Sequence, residues 1–181
     1  VLSNFRVFVI MISYKFERRV EMEHNIILEN PALNVVLNQP EIPANTGNIA
    51  RLCGAAKVKL HLIHPLGFRV DDKHLKRAGL DYWHEVDILH HESFKDFLAH
   101  KGKMGGRISA FSKHADQNYV EAEVRHGDYL LFGQETQGLP RSIRDGYPCY
   151  KIPIRGRVRS LNLSTSVGIV VYHYLHELGL F

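Results

Sequence analysis

The sequence predicts an α/β fold, a mostly parallel sheet with helices on both faces. From Asn34 onward, short apolar runs alternate with stretches that can form helices, the pattern of strands joined by helical crossovers and covered on both sides. Two glycine-containing segments near the C-terminal end, 131–140 and 152–166, each look like a strand running into a loop, and the second then enters an apolar helical run. In parallel sheets ligands gather where such loops leave the carboxyl ends of the strands. Two loops of this kind close together make a cup of main-chain donors and acceptors, which suits a nucleoside better than a metal or an acyl group.

The elements follow in order. Asn34-Val35-Val36-Leu37-Asn38 is a buried-strand run, and Asn45-Thr46-Gly47-Asn48 offers capping side chains before Ile49, Leu52, Cys53 and Ala56, which recur at helical spacing. His61-Leu62-Ile63 predicts a second strand, Asp71–Ala78 a short charged helix, Ser93–Ala99 another helix and Arg107–Phe111 a further strand. Asp128–Phe132 and Tyr150–Ile154 complete the strands, and Leu163–Leu178 is the longest helix. Residues 1–33 read as an N-terminal extension, because periodicity resumes only at Asn34 and Met22 offers a plausible start; one domain is expected over 34–181. The apolar stretch Val7–Ile12 is far shorter than the roughly 20 residues that span a bilayer. No small-residue cleavage pattern follows it.

Composition narrows the classes. The 181 residues are 45% hydrophobic and 10% aromatic, enough for one sizeable core and short for two full domains. Lys and Arg outnumber Asp and Glu by 23 to 19, with a pI near 9.1, so the surface leans basic and permits nucleic acid as a partner. The two cysteines, Cys53 and Cys149, are too few for a disulfide framework or a four-thiolate zinc site, and a reducing, cytoplasmic setting without membrane attachment is expected. Neither a phosphate loop, nor a dinucleotide glycine fingerprint after the first strand, nor a nucleophile elbow occurs. Of the 12 histidines, His90 and His91 are adjacent, and His173 and His176 share a helix with no third ligand in evidence, so no metal site is expected.

Three segments carry a resemblance. Asn45-Thr46-Gly47-Asn48-Ile49-Ala50-Arg51, Leu131-Phe132-Gly133-Gln134-Glu135-Thr136-Gln137-Gly138-Leu139, and Ile152-Pro153-Ile154 through Ser160-Leu161-Asn162-Leu163-Ser164 resemble, in order and spacing, the three motifs of the SPOUT superfamily of RNA methyltransferases. Within it, the run Gln39–Ile49, together with His61–Phe68 and Gly79-Leu80-Asp81-Tyr82, is similar to the small tRNA wobble-nucleotide 2′-O-methyltransferases. The resemblance implies a deep C-terminal trefoil knot, an S-adenosylmethionine site in the knotted loops and an obligate homodimer. It also implies methylation of the wobble nucleotide 34, a cytidine or cmnm5-uridine, in tRNA-Leu-type substrates. Another tRNA or ribosomal RNA position is the alternative within the class, and a non-catalytic cofactor- or RNA-binding module the alternative outside it.

Carried over position by position, the resemblance implies cofactor contacts from Phe111, Gly133, Ile152 and Ser160, with the backbone around Ile154 and Leu161 completing the adenosine pocket. Phe111 departs from the aliphatic residue usual there, which reshapes the pocket edge. Arg51 stands in the place of the family's catalytic arginine. A guanidinium stays protonated, so its favoured role is a clamp on RNA phosphate that orients the ribose, with a phosphate oxygen, a water or a perturbed Arg51 as the base. Asn45 and Ser160 would supply hydrogen bonds nearby, and Glu135 would organise its loop. Arg155, Arg157 and Arg159 alternate before Ser160, and Lys73, Lys76 and Arg77 crowd the predicted charged helix, two basic clusters suited to RNA phosphate. Tyr172 matches a position that the family uses near the dimer interface or the substrate.

Overall fold

A computed structural model describes residues 27–69, 83 and 85–181. The expected Asp71–Ala78 helix with Lys73, Lys76 and Arg77, the segment Gly79–Tyr82, the Val7–Ile12 stretch and Met22 lie outside the described residues. The chain runs β1 (Leu33–Asn38), α1 (Pro43–Ala56), β2 (Lys59–Ile63), β3 (Ile88–His91), α2 (Phe94–Met104) and β4 (Ile108–Phe111). It continues through β5 (Gln117–Asn118), β6 (Asp128–Phe132), α3 (Arg141–Arg144), β7 (Cys149–Lys151) and α4 (Leu163–Glu177). The seven strands form one sheet in the order β3-β2-β1-β6-β4-β7-β5, and every pairing is parallel.

Strict alternation sends side chains to two cores. Val35, Leu37, Leu130 and Phe132 face one, where α1 contributes Ile49 and Cys53 and α4 contributes Val167, Val170, Val171, Tyr174 and Leu175. Val36, Tyr129 and Leu131, their neighbours along the same strands, face the other with Phe97 of α2. Both faces of β1 and β6 are buried along their whole length, the physical reason their sequences are apolar almost without interruption. At the start of β6, Asp128 is 3% exposed and accepts hydrogen bonds from the Arg107 and Arg125 amides at 2.8 and 2.9 Å, with the Arg107 guanidinium 3.0 Å away.

The structure corrects several boundaries. Asn45-Thr46-Gly47-Asn48 do not cap the first helix; they lie inside it, because Pro43, whose missing N–H costs nothing in a first turn, starts it earlier. The strand expected over Tyr150–Ile154 ends at Lys151, since Pro153 has no N–H for a ladder. The helix begun at Ser93 runs on to Met104, with the Ser93 hydroxyl accepting from the Asp96 amide at 3.1 Å. Strand β3 is not among the expected elements: its apolar run is only Ile88-Leu89, and two histidines follow. Its His91 is buried instead by a hydrogen-bonded stack on His61, Nε2 to Nδ1 at 2.9 Å.

That stack makes stability depend on pH. His61 is fully buried, and burial foremost, then neighbouring His91, His100 and Lys59, holds its pKa well below the usual histidine range. Burial likewise lowers His91, against an opposing pull from Asp96, and His90 on the same strand. The unfolded chain therefore binds protons first, and stability present above the ordinary histidine pKa is lost as pH falls below about 6.5. The urea midpoint is expected to be lower at about pH 5.5 than at about pH 7.5, and His91→Gln to flatten the difference. Equal midpoints in the parent chain would contradict this.

Candidate active site

The loops leaving β4, β6 and β7 converge with the N-terminus of α1 around a cavity of about 310 Å³. It lies at the carboxyl ends of the strands, beside the point where β1 and β6 meet and the order of the strands reverses. All six residues expected to contact a cofactor, Phe111, Gly133, Ile152, Ile154, Ser160 and Leu161, line it. So does Asn45. Phe111 stacks on Phe132 with ring centroids 5.1 Å apart and planes inclined by 18°, giving the cavity a flat apolar wall where an aliphatic side chain was the usual occupant.

The β6 loop is tight for a stated reason. Gln134 and Gly138 exchange backbone hydrogen bonds of 3.2 and 2.9 Å, and Gly138 turns the chain at φ +70°, a conformation glycine adopts without steric cost. The fold-back brings Gly138 and Leu139 against Gly133, where a Cβ would lie 2.2 Å from backbone atoms of both. Only glycine fits, and the bare backbone faces the cavity.

Side chains from all three motifs join behind this wall. Glu135 accepts from the Glu41 amide at 2.8 Å, the Ile42 amide at 3.2 Å and Asn45 Nδ2 at 3.0 Å. It supplies the cap that Ile42, at the N-cap position, has no side chain to provide. The negative group also sits at the positive end of the helix. Asn45 Oδ1 accepts from Asn162 Nδ2 at 2.9 Å, and Asn162 Oδ1 in turn caps α4 through the Ser164 amide at 2.8 Å. Glu135 thus bonds to the first turn of α1 and to the two residues that lead into it, and both functional groups of Asn45 are engaged inside the protein.

The remaining expected residues lie around the cavity. Arg51 is exposed on α1 and is not among the lining residues. Arg155, Arg157 and Arg159 are exposed on the loop that ends at Ser160. Tyr172 is 46% exposed on α4 with its ring 5.6 Å from that of Phe181, away from the cavity lining. Sequence reasoning missed Ser112, Lys113 and His114, which line the cavity from the loop after β4. Their place just past the carboxyl end of a parallel strand was the available signal. Among the described residues no group of three His, Cys, Asp or Glu side chains is arranged to hold a metal ion.

With this geometry in view, comparison with known proteins is decisive about kinship. The SpoU rRNA Methylase family model matches residues 32–172. The chain belongs to that family. Its relatives include the tRNA (cytidine(34)-2′-O)-methyltransferases of Yersinia pestis, 45% identical over 153 residues, and Escherichia coli K12, 43% identical over 150; each comparison covers 81% of this chain and 94% of the relative. A solved structure described as giving structural insights into the 2-OH methylation of C/U34 on tRNA is 49% identical, with a TM-score of 0.77 over 81% of this chain and 97% of the other. The SpoU methyltransferase AviRb from Streptomyces viridochromogenes, in complex with AdoMet, shares the fold at 21% identity and a TM-score of 0.72, over 84% of this chain and 60% of the other.

Proposed function

We propose that this member of the SpoU family is an S-adenosylmethionine-dependent tRNA 2′-O-methyltransferase acting on the wobble nucleotide, cytidine or uridine 34. The observation that carries the reading is the cavity at the switch point, walled by the stacked Phe111 and Phe132 and by the Gly133 backbone, which leaves no room for a Cβ. A flat apolar wall beside open main-chain groups fits an adenosine moiety, and relatives above 40% identity carry the wobble-methyltransferase name. Phe111, Gly133, Ile152, Ile154, Ser160 and Leu161 would hold the cofactor. When bound, it supplies the methyl group that the ribose 2′-hydroxyl receives.

The protein's own work is to bind RNA, orient the hydroxyl and ease departure of its proton. Arg51, on the helix whose N-terminus forms one wall, is the clamp on the RNA phosphate next to the target ribose, leaving a phosphate oxygen or water to take the proton. Asn45 and Ser160 border the site; Asn45 acts by tying α1 to the cofactor loop and to Asn162. Arg155, Arg157 and Arg159 hold RNA backbone at the cavity mouth, with Lys73, Lys76 and Arg77 as a second cluster.

The catalytic domain begins slightly before the expected boundary at Asn34, since Leu33 is the buried first residue of β1 and the family match starts at residue 32; the residues ahead of it are an extension, and the protein works in the cytoplasm. Strand order supports a trefoil-knotted C-terminal crossing, since β6 lies between β1 and β4 while β7 returns on the far side of β4. The exposed apolar side chains of Tyr172, Leu180 and Phe181 support a homodimer that presents RNA with a surface larger than one protomer offers.

The test is transfer from labelled S-adenosylmethionine into unfractionated tRNA, followed by nuclease digestion and mass analysis. A 2′-O-methylated pyrimidine at the wobble site is the expected product. Incorporation into ribosomal RNA alone, or cofactor binding without transfer to any RNA, would overturn the reading.

A further inference from the structure

Glu41 does not itself line the cavity, yet both residues it holds do. Its carboxylate accepts from the Thr136 amide at 2.9 Å and from the Thr136 hydroxyl at 2.9 and 2.8 Å, while its own amide donates to Glu135 at 2.8 Å. Residues 41 and 135–136 therefore exchange carboxylate-to-backbone bonds in both directions, across more than ninety positions of sequence. Thr136 and Glu135 line the cavity; Ile42 and Asn45, on the other side of the exchange, line it as well. Behind Glu41 stands a third segment: the Gly67 amide donates to the Pro40 carbonyl at 2.9 Å, and a Cβ at Gly67 would lie 2.7 Å from Glu41 Cα.

We propose that Glu41 is a positioning residue for methyl transfer, a latch that holds the 133–138 loop closed on the cofactor and binds it to the helix carrying Arg51. The inference rests on the functional reading given above. Charged acceptors make the stronger class of hydrogen bond, and here one carboxylate satisfies both the amide and the hydroxyl of Thr136, at the tip of a loop also held by the Gln134–Gly138 exchange, by Gln134 Nε2 donating to Gln39 Oε1 at 3.1 Å and by Glu135 on the start of α1. Without the Glu41 carboxylate Thr136 loses its anchor, while the Gly133 end keeps its own and Glu135 keeps its bonds to Glu41, Ile42 and Asn45. Glu135 still caps α1. The Thr136 tip is then released from the wall, and the cofactor must order it on binding.

Calorimetric binding of S-adenosylhomocysteine to the full chain, with steady-state transfer to tRNA, tests the latch. Glu41→Ala and Thr136→Val are each expected to weaken binding by about tenfold or more. Together they should do no more harm than Glu41→Ala alone, because the hydroxyl bonds that Thr136→Val removes are among those lost with the Glu41 carboxylate. The KM for cofactor rises and that for tRNA stays; Glu41→Gln, which keeps a carbonyl acceptor for Thr136, restores most of the affinity. Gly67→Ala, which pushes Glu41 from behind without altering the loop, moves affinity the same way. Should Glu41→Ala fail to fold, Thr136→Val on its exposed loop carries the measurement. Wild-type affinity in Thr136→Val, losses that multiply in the double variant, or a fall in kcat with cofactor binding intact would overturn the proposal. A parent chain that methylates tRNA but shows these outcomes refutes the latch alone; a parent chain that binds no S-adenosylhomocysteine refutes the functional reading and the latch with it.

Discussion

Gly133→Ala is expected to abolish cofactor binding while leaving the rest of the fold in place. The added Cβ would stand 2.2 Å from the Gly138 carbonyl carbon and from the Leu139 nitrogen, and neither is the end of a side chain that could swing aside. Relief requires the backbone of the 133–139 loop to move by about an ångström, and displacements of that size in a reacting site cost about 10²-fold in rate. The same crowding costs about 1–3 kcal/mol of stability, less than the several kcal/mol that hold a domain of this size together. Equilibrium binding of S-adenosylhomocysteine and circular dichroism on the same sample separate the two effects. Binding at the parent affinity would show that the loop is not the cofactor cradle.

Arg51→Ala is expected to act the opposite way, destroying transfer and sparing cofactor affinity. Arg51 stands on α1 outside the cavity lining, so its removal leaves Phe111, Gly133 and the 152–161 segment as they are. What is lost is a fork of donors for RNA phosphate, and with it the orientation of the 2′-hydroxyl, worth at least about 10²-fold in kcat/KM for tRNA. Arg51→Lys keeps the charge and loses the fork, so it should recover RNA binding far better than turnover. Normal turnover by Arg51→Ala would remove this residue from the mechanism, whatever became of Gly133.

These two residues were legible in the sequence for different reasons. Gly133 ends an apolar strand inside a glycine-containing loop, a pattern with a local cause: the chain must fold back sharply there. Arg51 was legible only through resemblance, because an arginine on an amphipathic helix is otherwise an ordinary solvated side chain. Lys113 and His114 were overlooked because the loop after β4 has no glycine to advertise it. The cap of α1 was misplaced because its local candidates, Asn45 to Asn48, are good capping types, whereas the group that does the capping lies on another loop.

By itself the sequence determined β1, β2, β4, β6 and β7, which are apolar because their faces are covered, the long helix, expected over Leu163–Leu178 and observed over Leu163–Glu177, and two of the loops that line the cavity, but not β3, β5 or the loop after β4. Each of these depends on interactions between residues near one another in the chain or on burial common to a whole run. Tertiary structure alone decided what those loops hold: the exchange between Glu41 and residues 135–136, the Asn45–Asn162 bond, and the pairing of His61 with His91. A carboxylate, amide or imidazole is equally compatible with solvent, and its partner is set by which strands lie side by side. That order places β6 next to β1, and with it Glu135 at the start of a helix more than ninety residues earlier.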